Sequence, residues 1–220
     1  MIDIHTHILP NVDDGSSDFD TSCKLLELEL ENGVNKVICT PHQNYLNLNK
    51  DLLIEKFNEF KNKINLDIEL YLGSEIYYYK GFLNDLENGK LLTLNNSKYI
   101  LIEFSTSQNT DIIDIVYSIR LKGYIPIIAH IERYSYLNNE DYLKIKKEGA
   151  LIQINASSFN YSNTKKIIKY LLKNSLVDFV ASDCHDLNRR SVDFFKIKKY
   201  IYKKYKEQYH HIFENDYLLK

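Results

Sequence analysis

The chain has 220 residues, 44% of them hydrophobic and 26% charged, which is enough for a sizeable buried core and sets aside the disordered and fibrous classes. A formal charge of -2 and a pI near 6.4 give no reason to expect a nucleic acid or an anionic membrane as partner. Three cysteines without paired spacing, no basic-then-apolar leader and no apolar run of spanning length predict a reducing, cytoplasmic setting with no membrane insertion.

Short β-branched or apolar runs alternate with longer amphipathic stretches, the pattern of βα units on a parallel sheet. The first run is Ile2 to His7. A helix over Thr21 to Glu31 follows, with Leu25, Leu26, Leu28 and Leu30 apolar, and Gly33 closes it before the run Lys36 to His42. The third and fourth runs are Ile68 to Tyr77 and Tyr99 to Phe104. Asp111 to Lys122 is helical through Ile112, Ile115, Val116 and Ile119, and Gly123 separates it from the fifth run, Ile125 to His130. Gly149 precedes the sixth, Ala150 to Ala156, and the seventh is Asp178 to His185. The stretch KIKKYIYKKYK interleaves lysines with tyrosines as a nucleic-acid or kinase-docking segment would. Its spacing fits better a terminal helix with a solvated face and Phe195, Tyr202 and Tyr205 along one side. No linker or low-complexity seam divides the chain, so a single domain over residues 1–220 is expected. Near-continuous apolar strands such as YILIEF and YIPIIAHI suggest a closed or nearly closed barrel of seven βα units, with its chemistry at the C-terminal strand ends.

The polar residues fall at those ends. His5 and His7 end the first run, His42 the second and Glu103 the fourth. Glu75 lies near the end of the third, His130 ends the fifth, and Asp183 with His185 ends the seventh. With Asp14, this brings five of the seven histidines and four carboxylates to one rim. Alternation puts His5 and His7 on one face, and likewise Asp183 and His185. Taken singly, each has an ordinary reading: a hydrogen-bonded histidine, Asp14 capping the next helix, Glu75 or Glu103 paired with a Lys or Arg. Their coincidence at successive strand ends is what those readings leave unexplained. Burying so many imidazoles and carboxylates costs several kcal/mol for each unpaired group, and bound divalent cations would offset that cost.

HTH, DDG, TPH, GSEIYY, LIEFS, IAHIERY and ASDCH, in order and over almost the whole chain, resemble the PHP (polymerase and histidinol phosphatase) family of metal-dependent phosphoesterases. The likeness is greatest to its branch of bacterial capsule- and exopolysaccharide-associated protein tyrosine phosphatases. The resemblance implies an α/β fold, a distorted seven-stranded barrel holding three divalent metal ions. His5, His7, Glu75 and Asp183 would bind the first ion. Glu75 would bridge to a second, completed by Glu103 and His130, and Asp14, His42 and His185 would hold the third. Imidazole and carboxylate ligands without thiolate suit Mn, Fe or Zn. A hydroxide shared by two ions would attack phosphorus, while Arg133 and Arg190 neutralise the phosphoryl oxygens. The implied partner is a phosphotyrosine protein, a bacterial tyrosine kinase that regulates polysaccharide synthesis. Two departures from the family pattern touch the rim: Asp186 stands where asparagine is common, and the segment Ser157 to Asn163 is short.

Other readings share parts of this pattern. Cys184 to Ser191 satisfies the C-x5-R-[ST] spacing of thiolate tyrosine phosphatases, with Arg190 as its arginine. Against it, the loop holds no glycine, Asp186 puts a carboxylate where an anion should sit, and alternation turns Cys184 away from Asp183 and His185. A second alternative keeps the metals and changes the substrate to a small phosphomonoester such as histidinol phosphate. A third is a non-catalytic barrel that binds a kinase. Tyr77, Tyr78 and Tyr79 follow Glu75 and could wall a cleft for an aromatic ester, with at least one of them expected to pack against helices instead.

Overall fold

The computed structural model describes residues 1–43, 49–214 and 216–219. Eight strands are all paired in parallel: β1 (Ile2–Thr6), β2 (Lys36–Cys39) and β3 (Glu69–Leu72) in one sheet, then β4 (Glu75–Tyr77), β5 (Tyr99–Glu103), β6 (Ile125–Ile128), β7 (Leu151–Asn155) and β8 (Phe179–Ala181) in a second, each in chain order. The helices between and after them are α1 (Phe19–Glu31), α2 (Lys50–Lys63), α3 (Phe82–Glu87), α4 (Ile112–Leu121), α5 (Asn139–Lys147), α6 (Ser162–Lys173), α7 (Phe195–Lys204) and α8 (Lys206–Phe213).

The expected third strand is two. The chain bends at Gly73 and Ser74, where the Ser74 hydroxyl donates to the Pro41 carbonyl at 2.7 Å, so β3 pairs with β2 and β4 pairs with β5. A bridge between His42 and Glu75 joins the two sheets on that side. On the other side the first and last strands meet: Asp183 N–H donates to the His5 carbonyl and His7 N–H to the Cys184 carbonyl, both at 2.9 Å. The result is a distorted ring of seven strand positions, the third of them shared by β3 and β4.

Two apolar layers hold it. Ile100 and Ile102 of β5, Ile128 of β6 and Ile152 and Ile154 of β7 face the helices, meeting Val116 and Ile119 of α4 and Leu171 and Leu172 of α6 in the outer core. Ile2, Ile4, Ile38, Leu101, Ile127 and Phe179 fill the interior, which Leu218 closes from below. Burying a side chain of this size contributes about 1.5–3 kcal/mol. Polar ligands are thereby confined to the upper rim. The β1–β2 register shifts between Asp3 and Thr6. This irregularity lets Ile4 join the inner cluster while its neighbour His5 meets Glu75, two successive inward side chains that a regular strand forbids.

Helix boundaries follow capping. Asp18, not Asp14, caps α1, its carboxylate accepting from Thr21 N–H at 2.7 Å. Gly33, Gly123 and Gly149 sit one residue past the caps of α1, α4 and α5 with φ of 83°, 83° and 91°, as their spacing predicts. The expected terminal helix over KIKKYIYKKYK is α7, followed by α8, and its packing differs from expectation. Its buried residues are Ile197 and Ile201, while Phe195 and Tyr202 are 68% and 57% exposed and the helix ends at Lys204. The aliphatic pair, four residues apart, sets the packed face and rotates the aromatics outward. Among the described residues, no helix is long and apolar enough to cross a membrane.

Candidate metal centre

Every residue of the predicted rim lies at the C-terminal end of a strand or in the loop just beyond it, except Glu75, which opens β4. His5 Nε2 and His7 Nε2 are 3.2 Å apart and lie 3.2 and 3.3 Å from Glu75 Oε2. Asp183 Oδ1 is 3.4 Å from the first and 3.6 Å from the second. The other oxygen of Glu75 turns to His130 Nε2 at 3.0 Å, and that nitrogen is 3.5 Å from Glu103 Oε1. Asp14 Oδ1 is 3.5 Å from His42 Nε2 and 3.4 Å from His185 Nε2. The grouping is less partitioned than expected. His42 Nδ1 also lies 3.2 Å from Glu75 Oε2, and His7 offers a nitrogen close to the donors of Asp14, His42 and His185.

The donor chemistry fits cations. His185 Nδ1 faces the Asp183 carbonyl at 3.0 Å, an obligatory acceptor, so its proton sits there. Its Nε2 is buried without a hydrogen-bond partner and points its lone pair at a carboxylate oxygen. Burial and the neighbouring His7 push His185 down to about 2, which keeps that lone pair available. His7 Nδ1 faces Asp13 at 2.7 Å, again an acceptor, and turns Nε2 toward Glu75 and Asp183. Burial opposes a charge on His7, yet Asp13 and Glu75 outweigh it and carry its pKa to about 10. Burial, reinforced by Glu75, raises Glu103 to about 7. Imidazoles and carboxylates crowded in this way need positive charge among them, which the proton on His7 supplies in part and bound divalent ions would supply more fully.

Backbone strain accompanies the ligands. His130 and Asp183 leave their strands with φ of 31° and 53°, left-handed conformations that cost on the order of 1–3 kcal/mol each and turn the side chains inward. Gly15 is required beside them, because a Cβ there would collide with the carbonyl oxygen and Cβ of His7.

Sequence reasoning passed over part of this site. Asp13, not only its neighbour Asp14, belongs to it: its carboxylate accepts from His7, from His42 N–H at 2.9 Å and from Gly15 N–H at 3.0 Å. Gln153 and Asn155 on β7 are fully buried beneath the ligands. Two amides two residues apart in the apolar run LIQIN were a readable signal.

Arg133 donates to Asp183 Oδ2 at 2.8 Å, and Arg190 to Asp183 Oδ1 at 3.0 Å and Asp14 Oδ2 at 3.4 Å. Both arginines therefore border the cluster. The loop that follows is closed to an anion: Asp186 Oδ1 accepts from Asn188, Arg189 and Arg190 N–H at 2.6, 2.7 and 3.4 Å. Cys184 has no exposed surface, and its thiol lies 3.8 Å from Glu29 Oε1 beneath the sheet. Burial and Glu29 raise it well above the usual thiol range, so a thiolate nucleophile has no support here.

A cleft of about 640 Å³ opens over the cluster, lined by Asp14, His42, Gln43, Tyr77, Tyr79, Asp85 and Glu103. Tyr77 is half exposed and the Tyr79 hydroxyl donates to Asp85 at 2.6 Å. Tyr78 instead packs between Phe82 and Phe104, at 5.5 and 5.6 Å between ring centres.

A family model described as capsular polysaccharide synthesis, CpsB/CapC, matches residues 1–216. The chain is 36% identical over 202 residues to the tyrosine-protein phosphatase YwqE of Bacillus subtilis, covering 87% of this chain and 80% of that one. It is 35% identical over 221 residues to the tyrosine-protein phosphatase CpsB of Streptococcus pneumoniae, covering 93% and 91%. A chain from the crystal structures of those two proteins, called unique metal-dependent tyrosine phosphatases, superposes with a TM-score of 0.88 at 31% identity, covering 93% of this chain and 87% of that one. At 12% identity, a histidinol phosphate phosphatase from Lactococcus lactis shares the fold, with a TM-score of 0.64 and coverage of 96% and 95%.

Proposed function

The chain belongs to the CpsB/CapC capsular polysaccharide synthesis family, and from that premise we propose that its rim removes the phosphoryl group from phosphotyrosine in a protein. It is a metal-dependent tyrosine-protein phosphatase of the CpsB and YwqE type, linked to capsule synthesis. The observation that carries the reading is Glu75, whose two oxygens face different donor sets: His5 and His7 on one side, His130 on the other.

Three ions of Mn, Fe or Zn would be held by the residue sets expected above: His5, His7, Glu75 and Asp183; Glu75, Glu103 and His130; and Asp14, His42 and His185. When bound, such ions polarise phosphoryl oxygens and lower the pKa of water. The chain's own residues do the rest. Arg133 and Arg190 keep 33% and 37% of their side chains exposed and carry further N–H groups, which orient the phosphoryl oxygens and neutralise charge that develops on them. Tyr77 and Tyr79 wall the cleft beside Glu103, where a phenyl ring attached to that phosphate would lie. The bound ring and the buried floor exclude bulk water from the phosphorus. The protein substrate would be a bacterial tyrosine kinase that regulates capsule synthesis, a reading supported by the family's link to capsular polysaccharide synthesis, and the enzyme would meet it in the cytoplasm.

The test is hydrolysis of a phosphotyrosine peptide beside a phosphoserine peptide and histidinol phosphate, before and after chelation and with Mn, Fe or Zn restored. Selective, metal-restored release of phosphate from the tyrosyl peptide is expected. Preference for histidinol phosphate overturns the substrate, and full activity in chelator overturns the metal centre.

A further inference from the structure

We propose that Gln153 and Asn155 are positioning residues: their amides form one hydrogen-bonded chain that holds His5 as the tautomer with its Nε2 lone pair turned into the cluster, and holds Asp183 with Oδ1 turned the same way. The logic starts from a backbone donor. His130 N–H can only donate, and it points at Gln153 Oε1 from 2.8 Å. That fixes the amide orientation, with Oε1 toward His130 and Nε2 toward Asn155 Oδ1 at 2.7 Å. The same Gln153 oxygen lies 3.2 Å from His5 Nδ1. An amide oxygen cannot donate, so His5 Nδ1 carries the proton and Nε2 is left as an acceptor. That nitrogen is the one facing His7, Glu75 and Asp183.

The chain continues without a break. With Asn155 Oδ1 occupied by Gln153, Asn155 Nδ2 donates to Asp183 Oδ2 at 2.7 Å. Oδ2 is thus held by Asn155 and Arg133, and Oδ1 faces His5. Asn155 is itself anchored, since its backbone N–H donates to the buried Glu132 Oε1 at 3.0 Å. Both amides have no exposed surface and alternate along β7 with Ile152 and Ile154, so neither can turn to other partners. Reversing Gln153 would set donor against donor at His130 N–H and acceptor against acceptor at Asn155 Oδ1, and reversing Asn155 would set donor against donor at Gln153 Nε2 and acceptor against acceptor at Asp183 Oδ2. One rigid strand thereby sets the orientation of two ligands separated by 178 residues in the sequence, Asp183 less His5. Partners of this kind change metal affinity by about 10–100-fold when removed.

The inference rests on the metal-centre reading for its consequence, though not for its geometry. The test uses the full chain with ¹⁵N-labelled histidine rings, metal-free and zinc-loaded, and long-range proton–nitrogen spectra that show which ring nitrogen bears hydrogen. His5 is expected to carry a proton on Nδ1 in both samples, and finding Nδ1 bare in either overturns the proposal without any substitution being made. Zinc affinity by chelator competition supplies the second readout. Gln153→Leu and Asn155→Leu, folded by circular dichroism, are expected to bind about 10–100-fold more weakly. Gln153→Glu keeps an acceptor at His5 and His130 but sets its second oxygen against Asn155 Oδ1, so it should keep the His5 proton on Nδ1 and recover only part of that loss. Unchanged affinity in folded Gln153→Leu overturns the proposal. A wild type that binds no zinc overturns the metal centre instead, leaving the tautomer result to decide this question alone.

Discussion

Asp13 Oδ2 sits 2.7 Å from His7 Nδ1 and, with the same oxygen, takes the backbone N–H of His42 at 2.9 Å. One carboxylate outside the ligand set therefore fixes the ring of one ligand and the main chain of another. Asp13→Ala should weaken divalent-ion binding by about 10–100-fold and lower phosphatase activity in step, and saturating metal should restore part of that activity. Asp13→Asn can still accept both hydrogens through its one oxygen, but it lacks the charge and would set its amide nitrogen against Gly15 N–H, so it should fall between. Chelator competition beside phosphotyrosine-peptide kinetics checks both, and full affinity in Asp13→Ala would remove Asp13 from the centre.

Metal removal should cost both stability and activity. A single site filled at 100 times its dissociation constant stabilises the fold by about 2.7 kcal/mol, which for a chain of this size corresponds to a rise of roughly 5–10 °C in Tm. Calorimetry with and without chelator reads the shift. An unchanged Tm would mean that the buried carboxylates are balanced by protons alone.

Cys184→Ser should keep activity within about threefold of the parent, because the thiol is buried against Glu29 and away from the cleft. Iodoacetamide should label the partly exposed Cys23 in the native protein and leave Cys184 unmodified. Mass spectrometry of the alkylated chain reads the labelling, and near-complete loss of turnover in Cys184→Ser would revive the thiolate mechanism.

Arg133→Ala and Arg190→Ala should each lower kcat by about 10²–10³, the size expected for a lost donor to developing charge. Lysine at either position should recover only part of this, since it lacks the planar fork. Steady-state kinetics checks the pair. A change confined to KM would assign these arginines to substrate binding alone.

Gly15→Ala should fold poorly or lose metal, since the added Cβ has no room against the His7 backbone. Thermal denaturation and metal content are the readouts. A stable, fully loaded Gly15→Ala protein would mean that the DDG turn yields more readily than its contacts indicate.

Much of the rim was legible in the sequence because ligand chemistry is confined to few residue types and strand ends are bounded by apolar runs. His5, His7, His42, Glu103, His130, Asp183 and His185 each close such a run. The supporting groups were harder to read. Asp13 shares its chemistry with Asp14, and only the fold shows which of two adjacent carboxylates turns to His7. Gln153 and Asn155 carry no charge, so their value lies entirely in partners contributed by β1, by the loop after β6 and by the loop after β8. The third strand divided because the serine at its bend found an acceptor in Pro41, a contact between segments 33 residues apart. In α7, periodicity alone could not choose between aromatic and aliphatic faces, and packing chose Ile197 and Ile201.

The seam between β1 and the segment after β8, where His5 receives Asp183 N–H and His7 donates to Cys184, has a consequence for biosynthesis. During translation His5 and His7 leave the ribosome long before Asp183 exists, so the nascent polypeptide lacks a closed ligand cage until the segment after β8 arrives. Such distant closure slows folding and ties capture of the ions to synthesis of that segment. A protein cut short before Asp183 would carry most of the cage residues and hold none of them in place.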